Sequence, residues 1–174
     1  FLIPLDDVRS WWRYHHLFAD LLRARLEQTR PERVPELHRA AAAWHEAHGS
    51  ADDAVGHALA AGEVAWAARL VERHVEALLR RSEGATLGRW LAALPAEAVG
   101  SRARLCLAQA VAAVVGGQPE AVEPLLAAAE QASAASGEEP HQPSIGRPWS
   151  VLANVPASIA FLRAEVARLR GDAE

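Results

Sequence analysis

The stretch that decides the fold is LHRAAAAWHEAHGSADDAVGHALAAGEVAWAARLVERHVEALLRR, which runs from Leu37 to Arg81. Glycines at positions 49 and 62 divide it, and an alanine follows each glycine five residues later. The same G-x4-A spacing returns at Gly116 and Ala121. Glycine permits the left-handed turn that ends a helix, and a small alanine lets the next helix pack closely. The recurrence predicts a helical-repeat protein.

The composition of the 174 residues favours helices and argues against two classes of partner. Apolar residues make up 51% and aromatic residues only 6%, so the core must be built from alanine, leucine and valine. The net charge is −4, whereas a nucleic-acid-binding surface is normally basic. The longest nearly unbroken apolar run, Leu105 to Val115, is too short to cross a membrane. We therefore expect a cytoplasmic protein in which this chain contacts neither nucleic acid nor membrane.

The first half of the chain reads as a short β-hairpin followed by helices. FLIPL and WWRYH are apolar and extended, and the polar residues between them favour a turn. From His16 the apolar residues recur with helical spacing. A second helix would turn Leu37, Ala40, Ala41, Trp44 and His48 inward. Short helices at 51–61 and from Thr86 to Leu94, with a longer one from Gly62, complete this half.

The second half resembles a tetratricopeptide pair. Helices over 101–115 and 119–136 would face each other through six residues: Leu105, Ala108 and Ala112 from the first, and Ala121, Leu125 and Ala128 from the second. The proline-rich stretch 137–156 predicts a long loop. A last helix follows to about Arg170, and Gly171 to Glu174 reads as the opening of a further repeat that is truncated.

Candidate chemistry is sparse. His45-Glu46-Ala47-His48 lacks one residue of the zinc-protease motif HExxH, so packing at a helix end is the simpler interpretation, although a metal-dependent hydrolase using His38, His45 and His48 remains a third hypothesis. We expect no catalytic, cofactor-binding or metal site. Four carboxylates, Asp52, Asp53, Glu72 and Glu76, are expected on solvent-facing helix surfaces. A ligand or partner surface could include four tryptophans: Trp44, Trp66, Trp90 and Trp149.

Two segments carry a family resemblance. FLIPLDDVRSWWRYHHLFADLLRARL, followed by ELHRAAAAWHEAHGSADDAVGHALAAGEVAWAARLVE, resembles the MalT-like bacterial transcription regulators of the LuxR family, which are signal-transduction ATPases. The resemblance implies three parts. They are the wing hairpin and exit helix of a winged-helix domain over 1–30, a helical arm over 31–95, and tetratricopeptide-like sensor repeats over 96–174. It also implies ATP in an NTPase domain outside this chain.

Two functions from different classes follow. In the first, the all-α superhelix with its N-terminal hairpin is the non-enzymatic sensor of such a regulator. It would bind a small-molecule inducer or a regulatory protein and couple it to other domains of the same polypeptide. In the second, the chain is a general tetratricopeptide-like adaptor that binds a protein segment and has no part in transcription.

Overall fold

A computed structural model describes residues 2–4, 7–8, 12–136, 152 and 154–171. Two strands pair at the N-terminus, and helices make up most of the rest, which confirms the predicted all-α class. The elements are β1 (Leu2–Pro4), β2 (Trp12–Tyr14), α1 (His16–Thr29), α2 (Arg33–Ala47), α3 (Ala51–Ala60), α4 (Val64–Arg80), α5 (Gly84–Ala93), α6 (Ala96–Gly100), α7 (Ala103–Val115), a 3-10 turn (Pro119–Ala121), α8 (Val122–Ser136) and α9 (Val155–Arg170).

The hairpin forms as predicted. Strands β1 and β2 are antiparallel, with Leu2 opposite Tyr14 and Pro4 opposite Trp12. Helix α1 follows directly, and the Tyr14 and Phe18 rings meet edge to face with their centroids 5.4 Å apart. No residue of α1 is buried. The hairpin and α1 therefore form a small unit with an apolar surface that the described residues leave uncovered.

A single hydrophobic core runs through the remaining helices. Its buried residues extend from Ala42 in α2 to Val166 in α9. Helix α4 supplies a continuous buried face of alanine, leucine and valine, and both α4 and α5 pack against α7. Cys106 is buried in this core, where its thiol donates to the Val99 carbonyl at 3.3 Å and burial raises its pKa. The predicted division at 95/96 falls inside this continuous core and stays a prediction.

The same backbone turn ends α2, α3, α4 and α7. In each, a residue with positive φ is followed by one whose amide bonds the carbonyl five residues earlier, which is the Schellman arrangement. The bonds are Ser50 to His45, Glu63 to Ala58, Glu83 to Leu78 and Gln118 to Ala113, at 2.9–3.0 Å. Five residues after each positive-φ position, a side chain has no solvent exposure; these are Ala54, Ala67, Leu87 and Val122.

This regularity corrects the register of the third predicted repeat. Gly116 has φ −76°, and the left-handed residue is Gly117, with φ +69°. A 3-10 turn at Pro119–Ala121 then precedes α8. The face of α8 is accordingly displaced by one residue, so that Val122, Leu126 and Ala129 are buried, while the predicted Ala121, Leu125 and Ala128 flank them half-buried.

The predicted inward face of α2 is also wrong. Leu37 is 46% exposed and Trp44 is 40% exposed, whereas Ala42 has no exposure. His38 and His45 are half-buried on the side that meets α3. Helical periodicity predicted large apolar residues on the inner face of α2. The contact with α3 is close, so alanine and histidine side chains occupy that face instead. Most of the predicted loop over 137–156 lies outside the described residues.

The positive φ values lead to a stability prediction. Gly62 has φ +76° and open space where a Cβ would be, so Gly62→Ala should lower the free energy of unfolding by about 1 kcal/mol through backbone strain alone. Ser82 occupies the equivalent conformation, with φ +59°, and Ser82→Gly should raise stability by about 0.5 kcal/mol. Urea unfolding of each variant measures both effects.

Gly56 provides the control because it lies inside α3, and a Cβ added there would meet no heavy atom within 4 Å. Gly56→Ala should therefore stabilise the protein by about 0.5–1 kcal/mol. If both glycine-to-alanine changes had the same sign, the turn at Gly62 would not be the left-handed turn described.

Candidate ligand cleft and histidine cluster

An open cleft lies where α2, α3 and α5 meet. It has a volume of about 440 Å³ and combines charged with apolar walls. Its titratable and charged side chains are His38, Asp52, Asp53, His57 and Arg89, and Leu59 and Trp90 are among its apolar ones. A cleft of this size and mixed lining suits a small molecule or a peptide side chain.

One wall of the cleft is fixed by a contact that joins α3 to α5. The Trp90 indole Nε1 donates to Asp52 Oδ1 at 2.6 Å, and Arg89 Nη2 lies 3.0 Å from the same oxygen. The hydrogen bond from Trp90, reinforced by Arg89, holds the pKa of Asp52 below its ordinary value. The indole ring is only 4% exposed. Asp52 is thus held as a carboxylate facing the cleft.

A second contact of the same kind joins α2 to α4. Trp66 Nε1 donates to Glu46 Oε2 at 2.9 Å, and Arg73 Nη1 donates to Glu46 Oε1 at 2.6 Å. Burial raises the pKa of Glu46, but the hydrogen bonds from Trp66 and Arg73 outweigh it and leave that pKa lowered. Each of the two contacts skips one helix, so together they tie α2, α3, α4 and α5 into one scaffold.

Three histidines meet at the interface of α2 and α3. His38 Nδ1 and His57 Nδ1 are 2.8 Å apart, and the rings of His45 and His57 stack with centroids 5.4 Å apart. His45 Nδ1 is buried and makes no hydrogen bond within the described part of the chain; the nearest acid, Asp53, lies 3.7 Å away. Burial, with His38 and His45 close by, lowers the pKa of His57.

The hypothesised metal set is not assembled. His48 is directed elsewhere, since its Nδ1 donates to the Trp44 carbonyl at 2.7 Å and its ring stacks on Trp44. Among residues 2–4, 7–8, 12–136, 152 and 154–171, no group of three or more histidine, cysteine, aspartate or glutamate side chains is placed to hold a metal ion.

Three of the four predicted tryptophans lie in the described residues, and these three do not converge on one surface. Trp90 lines the cleft from the core, Trp66 is half-buried against Glu46, and Trp44 stacks on His48. Trp149 lies outside the described residues. Their role as a shared ligand surface stays a prediction, and the contacts found for Trp66 and Trp90 are structural.

Sequence reasoning missed Asp52, His57 and Arg89 as cleft residues. Asp52 is exposed as predicted, although it also bonds Trp90 and Arg89 across the cleft. The expectation of a solvated surface is wrong for Glu72, which is half-buried and pairs with Arg102 at 2.9 Å. The two acid–indole contacts span different separations along the chain, 20 and 38 residues, so no repeated spacing could have revealed them.

A second surface of note lies on the hairpin and α1. Leu2, Ile3, His15, Leu17, Phe18 and Leu21 line a groove of about 500 Å³. Leu17 is 67% exposed and Leu21 is 64% exposed. Large apolar side chains gathered this way mark a surface that another element covers.

Comparisons with known proteins agree with the interpretation of the N-terminal segment. Residues 1–34 match the family model of the MalT winged helix domain. The chain is also 44% identical over 119 residues, 68% of its length, to the proteins named serine/threonine-protein kinase PknK of Mycobacterium tuberculosis and of Mycobacterium bovis. It spans only 11% of the length of these relatives. No solved structure matches.

In the described residues, none of the helices has the length and apolarity needed to cross a membrane. The hairpin and α1 coincide with the segment that the family model matches, and the predicted resemblance is confirmed there. Residues 1–34 of this chain are similar to the MalT winged helix domain.

Proposed function

We propose that this chain is the regulatory segment of a MalT-like regulator, with the hairpin and α1 joined to a winged-helix domain and the following helices serving as a ligand- or partner-binding scaffold. The proposed role is non-catalytic. The observation that carries it is the contrast between the two parts: α2 to α5 are tied by acid–indole contacts, whereas α1 presents an uncovered apolar face next to them.

The contrast supports transmission between domains. A scaffold whose helices are tied across their neighbours moves as a unit, so a change at the cleft would be carried to α2 and from there to the winged-helix segment. The apolar groove of α1 would pack on the remainder of that domain. The similarity to proteins named as kinases suggests that such a segment serves more than one kind of output domain.

The test is a thermal-shift screen of the chain against a metabolite library and, separately, a pool of peptides. A compound that binds only the folded state raises the unfolding midpoint with its concentration. A metabolite hit supports the sensor function, and a peptide hit alone favours the adaptor. No shift from either library would contradict binding by this scaffold.

Two arginine variants test whether a compound that raises the unfolding midpoint binds in the cleft. Arg89→Gln removes a cleft charge, and Arg73→Gln removes the equivalent ion pair with Glu46, which lies outside the residues that line the cleft. We expect the midpoint shift to be lost in Arg89→Gln and kept in Arg73→Gln. Equal shifts in both variants would place the ligand elsewhere.

A further inference from the structure

The α2–α3 interface contains two polar contacts with opposite requirements for the protonation of their histidines. The His38–His57 hydrogen bond joins two Nδ1 atoms, so one ring must donate and the other must accept. A doubly charged pair has no acceptor at this point, because both Nδ1 atoms carry hydrogen. The bond therefore exists only while at least one of the two rings is neutral.

His45 has the opposite requirement. Its Nδ1 lacks a hydrogen-bond partner among the described residues, and Asp53 Oδ2 is 3.7 Å away, just beyond hydrogen-bond distance. A proton on His45 would add a positive charge and, with the carboxylate of Asp53, create an ion pair. A small approach of the two side chains would close the gap. This contact is therefore favoured when the histidine is charged.

We propose that the α2–α3 interface is a proton-responsive joint, in which the His38–His57 hydrogen bond is exchanged for a His45–Asp53 ion pair when the histidines become charged. The two contacts share the stacked rings of His45 and His57, so a shift of one ring displaces the other. His38 and His57 also line the cleft, and the exchange therefore changes its wall.

The charges around the joint fit this assignment. Burial and the neighbouring histidines outweigh the carboxylate of Asp53 and hold the pKa of His57 low, which means that the folded chain resists a proton on His57. Nearby ions are already paired, Arg39 with Glu63 at 2.6 Å and Arg89 with Asp52 at 3.0 Å. The groups facing His57 are His38 and His45 from α2, Asp52 and Asp53 from α3, and Arg89 from α5.

The direction of the pH effect follows from linkage. Because the pKa of His57 is lower in the folded chain than in an unfolded one, the unfolded state binds more protons as the pH falls. Stability is therefore lost as the pH falls below about 7.5, through the ordinary histidine pKa and down to the lower pKa of the folded chain. The pKa of His74 is also lowered by burial, so its contribution has the same sign. Variants at the joint are needed to separate the contribution of His57 from that of His74.

The experiment is an NMR titration of the histidine rings in the whole chain, with EDTA present, from about pH 7.5 to about pH 5.5. We expect a direct hydrogen bond between the His38 and His57 Nδ1 atoms, visible as nitrogen–nitrogen coupling at the upper pH and lost at the lower. In His38→Phe, the His57 titration should move toward that of an ordinary histidine. An absent coupling in the wild type, or an unchanged His57 titration, overturns the proposal.

Asp53→Asn tests the acid form. It leaves the His38–His57 bond in place but removes the carboxylate that receives the charged His45, so its unfolding midpoint should fall about 2–4 °C further on acidification than that of the wild type. Because Asp53 also raises the pKa of His57, the same change is made in a His45→Phe background, where the extra loss on acidification should be smaller if the ion pair forms. Asp20→Asn on α1, which removes an exposed acid paired with Arg23, is the matched control and should behave as the wild type. Equal acid sensitivity of the two variants also overturns the proposal.

Discussion

Trp90→Ala is expected to lower the free energy of unfolding by about 3–5 kcal/mol, as for other buried aromatic truncations. The ring is 4% exposed within the core, and its removal leaves a cavity beside α4 and α7. The substitution also removes the indole N–H that donates to Asp52 at 2.6 Å. Urea unfolding followed by circular dichroism measures the loss.

The control is Trp44→Ala. This ring is 40% exposed and stacks on His48 of its own chain segment, so the expected loss is under about 1 kcal/mol. A Trp90→Phe variant tests the polar part, because it keeps a ring but removes the indole donor. Asp52 is exposed and keeps its ion pair with Arg89, so the lost hydrogen bond should cost about 0.5–1.5 kcal/mol. Similar losses for Trp44→Ala and Trp90→Ala would refute the structural role assigned to Trp90.

Leu126→Ala is expected to cost about 2–5 kcal/mol, because its side chain is fully buried in the core between α7 and α9. Leu125→Ala removes the same atoms from the adjacent position, which is half-buried at the edge of that core, and should cost about 1 kcal/mol. The pair tests the one-residue displacement of α8. A larger loss at Leu125 than at Leu126 would restore the register that the sequence predicted.

The helices could be predicted from the sequence because helical periodicity and turn glycines are local signals. The hairpin, α1 and the turns at Gly49 and Gly62 all lie where composition and spacing indicate. The third turn was misplaced because Gly116 and Gly117 are adjacent, and spacing alone cannot say which of them takes the left-handed conformation. A helix break at Ser82 could be predicted, but its left-handed conformation could not, because serine rarely adopts positive φ.

The cleft could not be predicted because its residues come from three helices. Asp52 and Trp90 meet only through the packing of α3 against α4 and of α4 against α5. His38 and His57 meet because α2 turns its histidines inward, whereas hydrophobicity favours Leu37 and Trp44 for that face. A contact between polar side chains that forms only through such packing leaves no local pattern in the sequence.

The central claim is that the uncovered face of α1 joins this scaffold to the rest of a winged-helix domain. Hydrogen–deuterium exchange of α1 tests this claim directly. The exchange rate is compared between this chain alone and the longer polypeptide to which we propose that it belongs. The account predicts slow exchange of α1 in the longer polypeptide and fast exchange in the chain alone, since none of its residues is buried here. Equal exchange in both would contradict it.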